Sequence, residues 1–109
     1  MKIRWLIAIL CLIVASADAG EQVGSILYVR VRMPDGLIYF ALTGTKVNAP
    51  GCATGSYWMI RDENSNTGKQ QYAMLLAAQL AGRSIAVIGL NTCARWADGE
   101  DAGEIRIVD

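Results

Sequence analysis

Histidine is absent from this chain, and cysteine (3), proline (2) and phenylalanine (1) are scarce. Without an imidazole there is no Ser-His or Cys-His catalytic pair, no histidine metal ligand, and no side chain of ordinary pKa that changes charge near neutrality. Excess charge is missing too: ten Lys and Arg balance ten Asp and Glu, a formal net charge of zero. A nucleic-acid binder needs a basic face to meet phosphates, so no nucleic-acid partner is expected. The longest apolar run, residues 5–15, has 11 residues. At about 1.5 Å per residue it cannot cross a hydrocarbon core of about 30 Å, which argues against stable membrane insertion. The 109 residues support one domain.

The apolar run reads as part of a leader. Lys2 and Arg4 precede it, and Ala17-Asp18-Ala19 forms an A-x-A cleavage site before Gly20. Ala15-Ser16-Ala17 offers a second site, two residues earlier. Leu10 is too large for a lipoprotein site at Cys11. We therefore assign residues 1–19 to a cleaved signal peptide and residues 20–109 to a single domain of a periplasmic or secreted protein. Loss of Lys2, Arg4 and Asp18 leaves a net charge of −1. Cys52 and Cys93 remain, and in an exported domain of this size they predict one disulfide; the competing arrangement is two buried thiols. Closing a loop of about 42 residues contributes roughly 4 kcal/mol in the chain-entropy model.

Residues 25–33 alternate as a half-buried strand, and Pro34-Asp35-Gly36 is a turn leading to a second strand at 37–43. Residues 56–61 form a short third strand. Thr67 and Gln70 have capping-box spacing and predict a helix start, with Gly82 a left-handed stop. Tyr72, Leu75, Leu76, Gln79 and Leu80 give that helix its apolar stripe. Residues 84–90 and 104–108 complete the set. The expected fold is mainly β with one helix: an OB-like five-stranded Greek-key barrel of order β-β-β-α-β-β, the helix lying between strands three and four. The competing arrangement is a generic α+β sheet with the helix on one face.

Four carboxylates fall within residues 98–104. Asp98, Glu100 and Ala102 do not match the acidic or amide positions of a calcium loop, so a solvated loop is expected and no metal. Ser, Thr and Cys lack a base, and Lys46 or Lys69 lies in no phosphate-loop motif. No catalytic residue, no cofactor and no enzymatic activity are expected.

Aromatic and Arg residues are the better lead. Tyr28, Arg30 and Arg32 share one face of the first strand, opposite Val29, Val31 and Met33. With Tyr39 on the partner strand, and Trp58 and Trp96 at the barrel ends, they form the candidate binding set. Aromatic faces cover sugar C–H groups while Arg forks bond hydroxyl and carboxylate edges. The competing role is packing: rings closing the barrel and Arg stems covering apolar surface.

The stretch Tyr39-Phe40-Ala41-Leu42-Thr43-Gly44, then Cys52, then residues 72–82 leading into Ile85-Ala86-Val87-Ile88, resembles the small secreted OB-fold B subunits of bacterial AB5 toxins, the subtilase-cytotoxin type in particular. That resemblance implies an OB fold, a binding role, ring-shaped homo-oligomers and sialylated glycan ligands. No sugar-binding residue of that family maps onto this chain. The Cys93-Ala94-Arg95-Trp96 loop, with the acidic segment and strand that follow it, departs from the family pattern. The expected function is a small exported, non-catalytic binding module for a glycan. The alternative is a protein-interaction, inhibitor or oligomer-forming subunit.

Overall fold

The computed structural model describes residues 19–109, so the expected leader, Ala19 apart, lies outside the described residues. Six strands and one helix follow in the order β1 (Glu21–Gly24), β2 (Ile26–Val31), β3 (Ile38–Leu42), β4 (Trp58–Met59), α1 (Asn66–Ala81), β5 (Ile85–Gly89) and β6 (Glu100–Ile107). They form one mixed sheet of order β1-β5-β6-β4-β3-β2. Every neighbouring pair is antiparallel except β4 with β6. The protein is thus mainly β with one helix, and its sheet is not closed: β1 and β2 are the two edges. Among the described residues, no helix is long and apolar enough to cross a membrane.

The count of five strands misses β1. Glu-Gln-Val-Gly carries little strand preference, and it is extended because its backbone pairs with β5, from Glu21 opposite Ile88 to Gly24 opposite Ile85. The other strand regions are found where expected; the first four are trimmed, the third to Trp58 and Met59 alone, while the last begins at Glu100 instead of Glu104.

The core comes from the inner faces. Ile38, Phe40 and Leu42 of β3 meet Trp58, Ile60, Ile85, Val87, Ala102 and Ile105, with Leu75 and Ala78 of the helix laid over them. Gln22 is the polar member of this layer. Its side-chain oxygen accepts the Trp58 indole N–H at 2.8 Å, and its amide donates to the Gly44 carbonyl at 3.0 Å. A buried amide is tolerated on those terms.

Two helix expectations are corrected. The N-cap is Ser65, not Thr67, and its hydroxyl accepts the Gly68 N–H at 2.9 Å. Gly82 does end the helix, at φ +66°, with the Arg83 N–H returning to the Ala78 carbonyl. The buried face is Gly68, Gln71, Leu75 and Ala78, so of the expected stripe only Leu75 is fully buried and Tyr72 partly so. Leu80 is 90% exposed. The first turn of the helix packs closely on the connection that precedes it: a Cβ at Gly68 would meet the Asp62 carbonyl oxygen at 1.9 Å. Gln71 on that face donates to the Gly103 carbonyl at 3.0 Å.

The acidic segment is the largest correction. It is not a solvated loop, because β6 begins inside it and Glu100 and Asp101 are fully buried. Parallel pairing sets Glu100 opposite Trp58 and Asp101 opposite Met59. Composition counts charges; it does not reveal donors brought from elsewhere in the chain. Asp101 accepts from the Thr92 hydroxyl at 2.6 Å and from the Ala94 and Arg95 amides at 2.8 and 3.2 Å.

Cys52 and Cys93 form the expected disulfide, with Cα atoms 6.2 Å apart. It ties the long β3–β4 connection to the β5–β6 loop. We expect no free thiol in denaturant without reductant. Reduction should remove about 4 kcal/mol of stability and lower Tm by more than about 10 °C in a scanning measurement. Labelling of both cysteines in the oxidised protein would contradict the bridge.

Candidate functional site

Strand alternation, with a register irregularity between Ile26 and Tyr28, sorts β2 into two faces. Ile26, Val29 and Val31 lie opposite Leu42, Phe40 and Ile38, on the core side, while Tyr28 and Arg30 lie opposite Ala41 and Tyr39, on the outer side. Tyr39 in turn neighbours Met59, and Met59 neighbours Asp101, across the same outer face. A row of polar and aromatic side chains therefore crosses the sheet from its edge toward the buried carboxylate.

The row is packed ring against ring. Tyr28 and Tyr39 meet edge to face with centroids 6.1 Å apart, and Tyr39 meets Tyr57 at 5.6 Å. The Arg30 guanidinium lies 4.5 Å from the Tyr28 centroid and donates to the Tyr39 hydroxyl at 3.5 Å. The Arg32 guanidinium lies 4.4 Å over the Trp96 ring, a cation–π contact that brings the β5–β6 loop onto the β2–β3 hairpin.

Between these groups opens a cleft of about 210 Å³ lined by Arg32, Leu37, Tyr39, Tyr57, Met59 and Trp96. Three of the six sequence candidates, Arg32, Tyr39 and Trp96, line it, and Tyr28 and Arg30 extend its row along β2. Trp58 is not among them: fully buried, it faces the core. Neighbouring residues on a strand point to opposite faces, so Tyr57 and Trp58 cannot both reach the cleft. Leu37 and Met59 are missing from the candidate set, and so is Tyr57, the one aromatic wall it lacks. Alternation running back from the buried Trp58 would have found it.

Hydrogen bonds hold the lining in place. Arg32 grips Asp35 with both oxygens engaged, one through Nε at 3.1 Å. That grip holds the Asp35 carboxyl at about 2, and the same bond raises Arg32. Arg95 forks onto Glu63, with Nη2 at 2.8 Å from Oε1 and Nε at 3.0 Å from Oε2. Its Nη2 also donates to the Asp35 carbonyl at 3.1 Å. The Arg95 guanidinium draws Glu63 below the usual carboxylate range. Tyr57 donates its hydroxyl to Asp98. Burial, and then this bond, push the Tyr57 phenol up to about 12.

The result is a fixed, open, aromatic-walled cleft with one guanidinium at its rim. Such a surface can cover an apolar face and bond a hydroxyl or carboxylate edge. Comparison with protein-family models, with curated proteins and with solved structures returned no match.

The Tyr57–Asp98 bond is open to direct titration. A phenol whose pKa is raised on folding contributes stability that is complete below its unfolded value near 10 and is lost as pH rises through about 12. Absorbance titration should show a late phenol step near 12 that Tyr57→Phe abolishes and Asp98→Asn moves to lower pH. Survival of that step in Tyr57→Phe would contradict the assignment.

Proposed function

We propose that this chain is a small exported, non-catalytic binding module, acting in the periplasm or outside the cell, whose outer-face cleft takes a glycan. The observation that carries the reading is the cleft itself: Tyr39, Tyr57 and Trp96 as walls and Arg32 at the rim, all held by bonds made without ligand. Rings held in place before binding lose little entropy on contact. A sugar bearing a carboxylate suits the Arg32 rim, which is also the ligand class implied by the likeness to AB5 B subunits.

The frame we propose for it is an OB-like barrel. The two edges of the sheet, β1 and β2, are consecutive in the chain with only Ser25 between them. Taken as one bent strand, they supply both ends of a five-membered ring with the helix between its third and fourth members. Ser25 supports the bend by donating its N–H to the Thr43 hydroxyl and accepting the Thr43 N–H, both at 2.9 Å.

A second reading rests on the exposed apolar residues of the hairpin. Leu27, Val31 and Met33 are 60%, 54% and 94% exposed, a surface suited to a protein partner or a second copy of the chain.

A glycan array run beside light-scattering mass determination separates the two readings. The first expects binding to acidic sugars with a change in Trp fluorescence, weakened about tenfold or more (~1.4 kcal/mol) by Arg32→Ala and by Trp96→Ala. Silence toward every sugar, with a defined oligomer or a co-purifying protein, favours the second. If both variants leave every detected interaction unchanged, the cleft is not the site.

A further inference from the structure

Glu100 is fully buried, and only half of its carboxylate is satisfied. Oε2 accepts the Gly20 N–H at 3.0 Å and the Asn91 N–H at 3.1 Å. Oε1 is the one buried side-chain oxygen among the described residues without a hydrogen-bond partner. A buried carboxylate left this way is costly, and a cation is its usual complement.

The nearest cation does not supply it. Lys46 feels the charge of Glu100, yet its ammonium lies over the Trp58 ring at 3.9 Å and donates to the Tyr57 carbonyl at 3.2 Å. The space around the carboxylate is shaped by glycines. A Cβ at Gly20 would stand 2.1 Å from Oε1, and one at Gly89 would stand 1.8 Å from Oε2. Gly20 is itself fixed, since its carbonyl accepts the Gly89 N–H at 2.8 Å. The unpartnered oxygen is therefore held against the residue that follows the A-x-A site.

We infer that Glu100 is a built-in receptor for the α-ammonium group of Gly20, formed when the leader is removed. The inference rests on leader cleavage and not on the ligand of the cleft. Hydrolysis breaks the Ala19–Gly20 C–N bond. Water gives its hydroxyl to the Ala19 carbonyl carbon and a proton to the Gly20 nitrogen, which takes up a further proton at neutral pH. One amide N–H becomes three N–H donors and a positive charge, enough to satisfy both oxygens. Residues 21 to 24, already paired with β5, would then gain a charge-assisted anchor on Glu100 of β6 in the processed protein, coupling maturation to the final stability of the fold. Of the two cleavage sites, only the one before Gly20 creates this pair.

Of the neighbouring charges among the described residues, Glu21 is exposed on β1 and Lys46 is held over the Trp58 ring. Neither replaces Glu100 as the partner of Gly20. An α-amino pKa raised on folding adds stability below its unfolded value of about 7.7–8.0, and that stability is lost as pH rises through the folded value.

The test uses the full chain expressed for export and recovered after processing. Intact mass should give Gly20 as the first residue. The rate of acylation of its α-amine against pH should show an inflection raised by at least about one unit above the ordinary range, and Tm should fall across that rise. Glu100→Gln should return the inflection to the ordinary range. If that variant fails to accumulate, the wild-type α-amine titration decides alone. A first residue other than Gly20, or an α-amine that titrates in the ordinary range, overturns the inference.

Discussion

The Asp101 carboxylate is the point from which the site is built. One end of β6 carries it into a fully buried position, and there it gathers the Thr92 hydroxyl and the Ala94 and Arg95 amides. Arg61 adds a weaker ion pair at 3.7 Å. Three bonds from residues 92, 94 and 95 of the loop to one carboxylate leave the loop little freedom. Each buried donor stranded by loss of that carboxylate would cost about 1–3 kcal/mol. The charge is tolerated in the interior because the loop solvates it, and the loop is ordered because the charge is there.

Everything the cleft offers descends from that exchange. Holding Arg95 places its guanidinium on Glu63 and on the Asp35 carbonyl, which joins the loop, the segment before the helix and the β2–β3 turn. Holding the next residue sets the Trp96 ring under Arg32. Cys93, between Thr92 and Ala94, carries the same loop across to Cys52. Ion pairs on an exposed rim are worth little singly. Here they position side chains around a frame already fixed by buried bonds and a covalent bridge. Glu100, one residue away, performs the matching task at the other side of the sheet, toward Gly20.

Much of this was legible in the chain itself. Hydrophobic alternation located the strand regions of the hairpin and of residues 84–90, glycine placed the helix stop, and the two cysteines left after the expected leader pointed to the bridge. Alternation on β2 also set Tyr28 and Arg30 on one face, where the register brings Tyr39 opposite Arg30. Apart from the local N-cap, what failed did so for one reason: burial decided by partners brought in from elsewhere in the chain. Glu100 and Asp101 look like solvent-facing charge until Gly20, Asn91 and the 92–95 segment are folded onto them. Gln71 looks polar until it meets the Gly103 carbonyl, and so the helix turns a small-residue face inward and leaves Leu80 outside. Tyr57 and Trp58 were separable by strand parity, but only once the buried member of the pair was known.

The claim that a buried carboxylate orders the loop is tested most directly by amide hydrogen exchange, read residue by residue in the wild type and in Asp101→Asn. The amides of Ala94 and Arg95 should be protected in the wild type. In the variant they should exchange at least about tenfold faster, a loss of ~1.4 kcal/mol of local protection, while the β2–β3 amides of the hairpin hold. Unchanged protection at both residues in a folded Asp101→Asn protein would contradict the account.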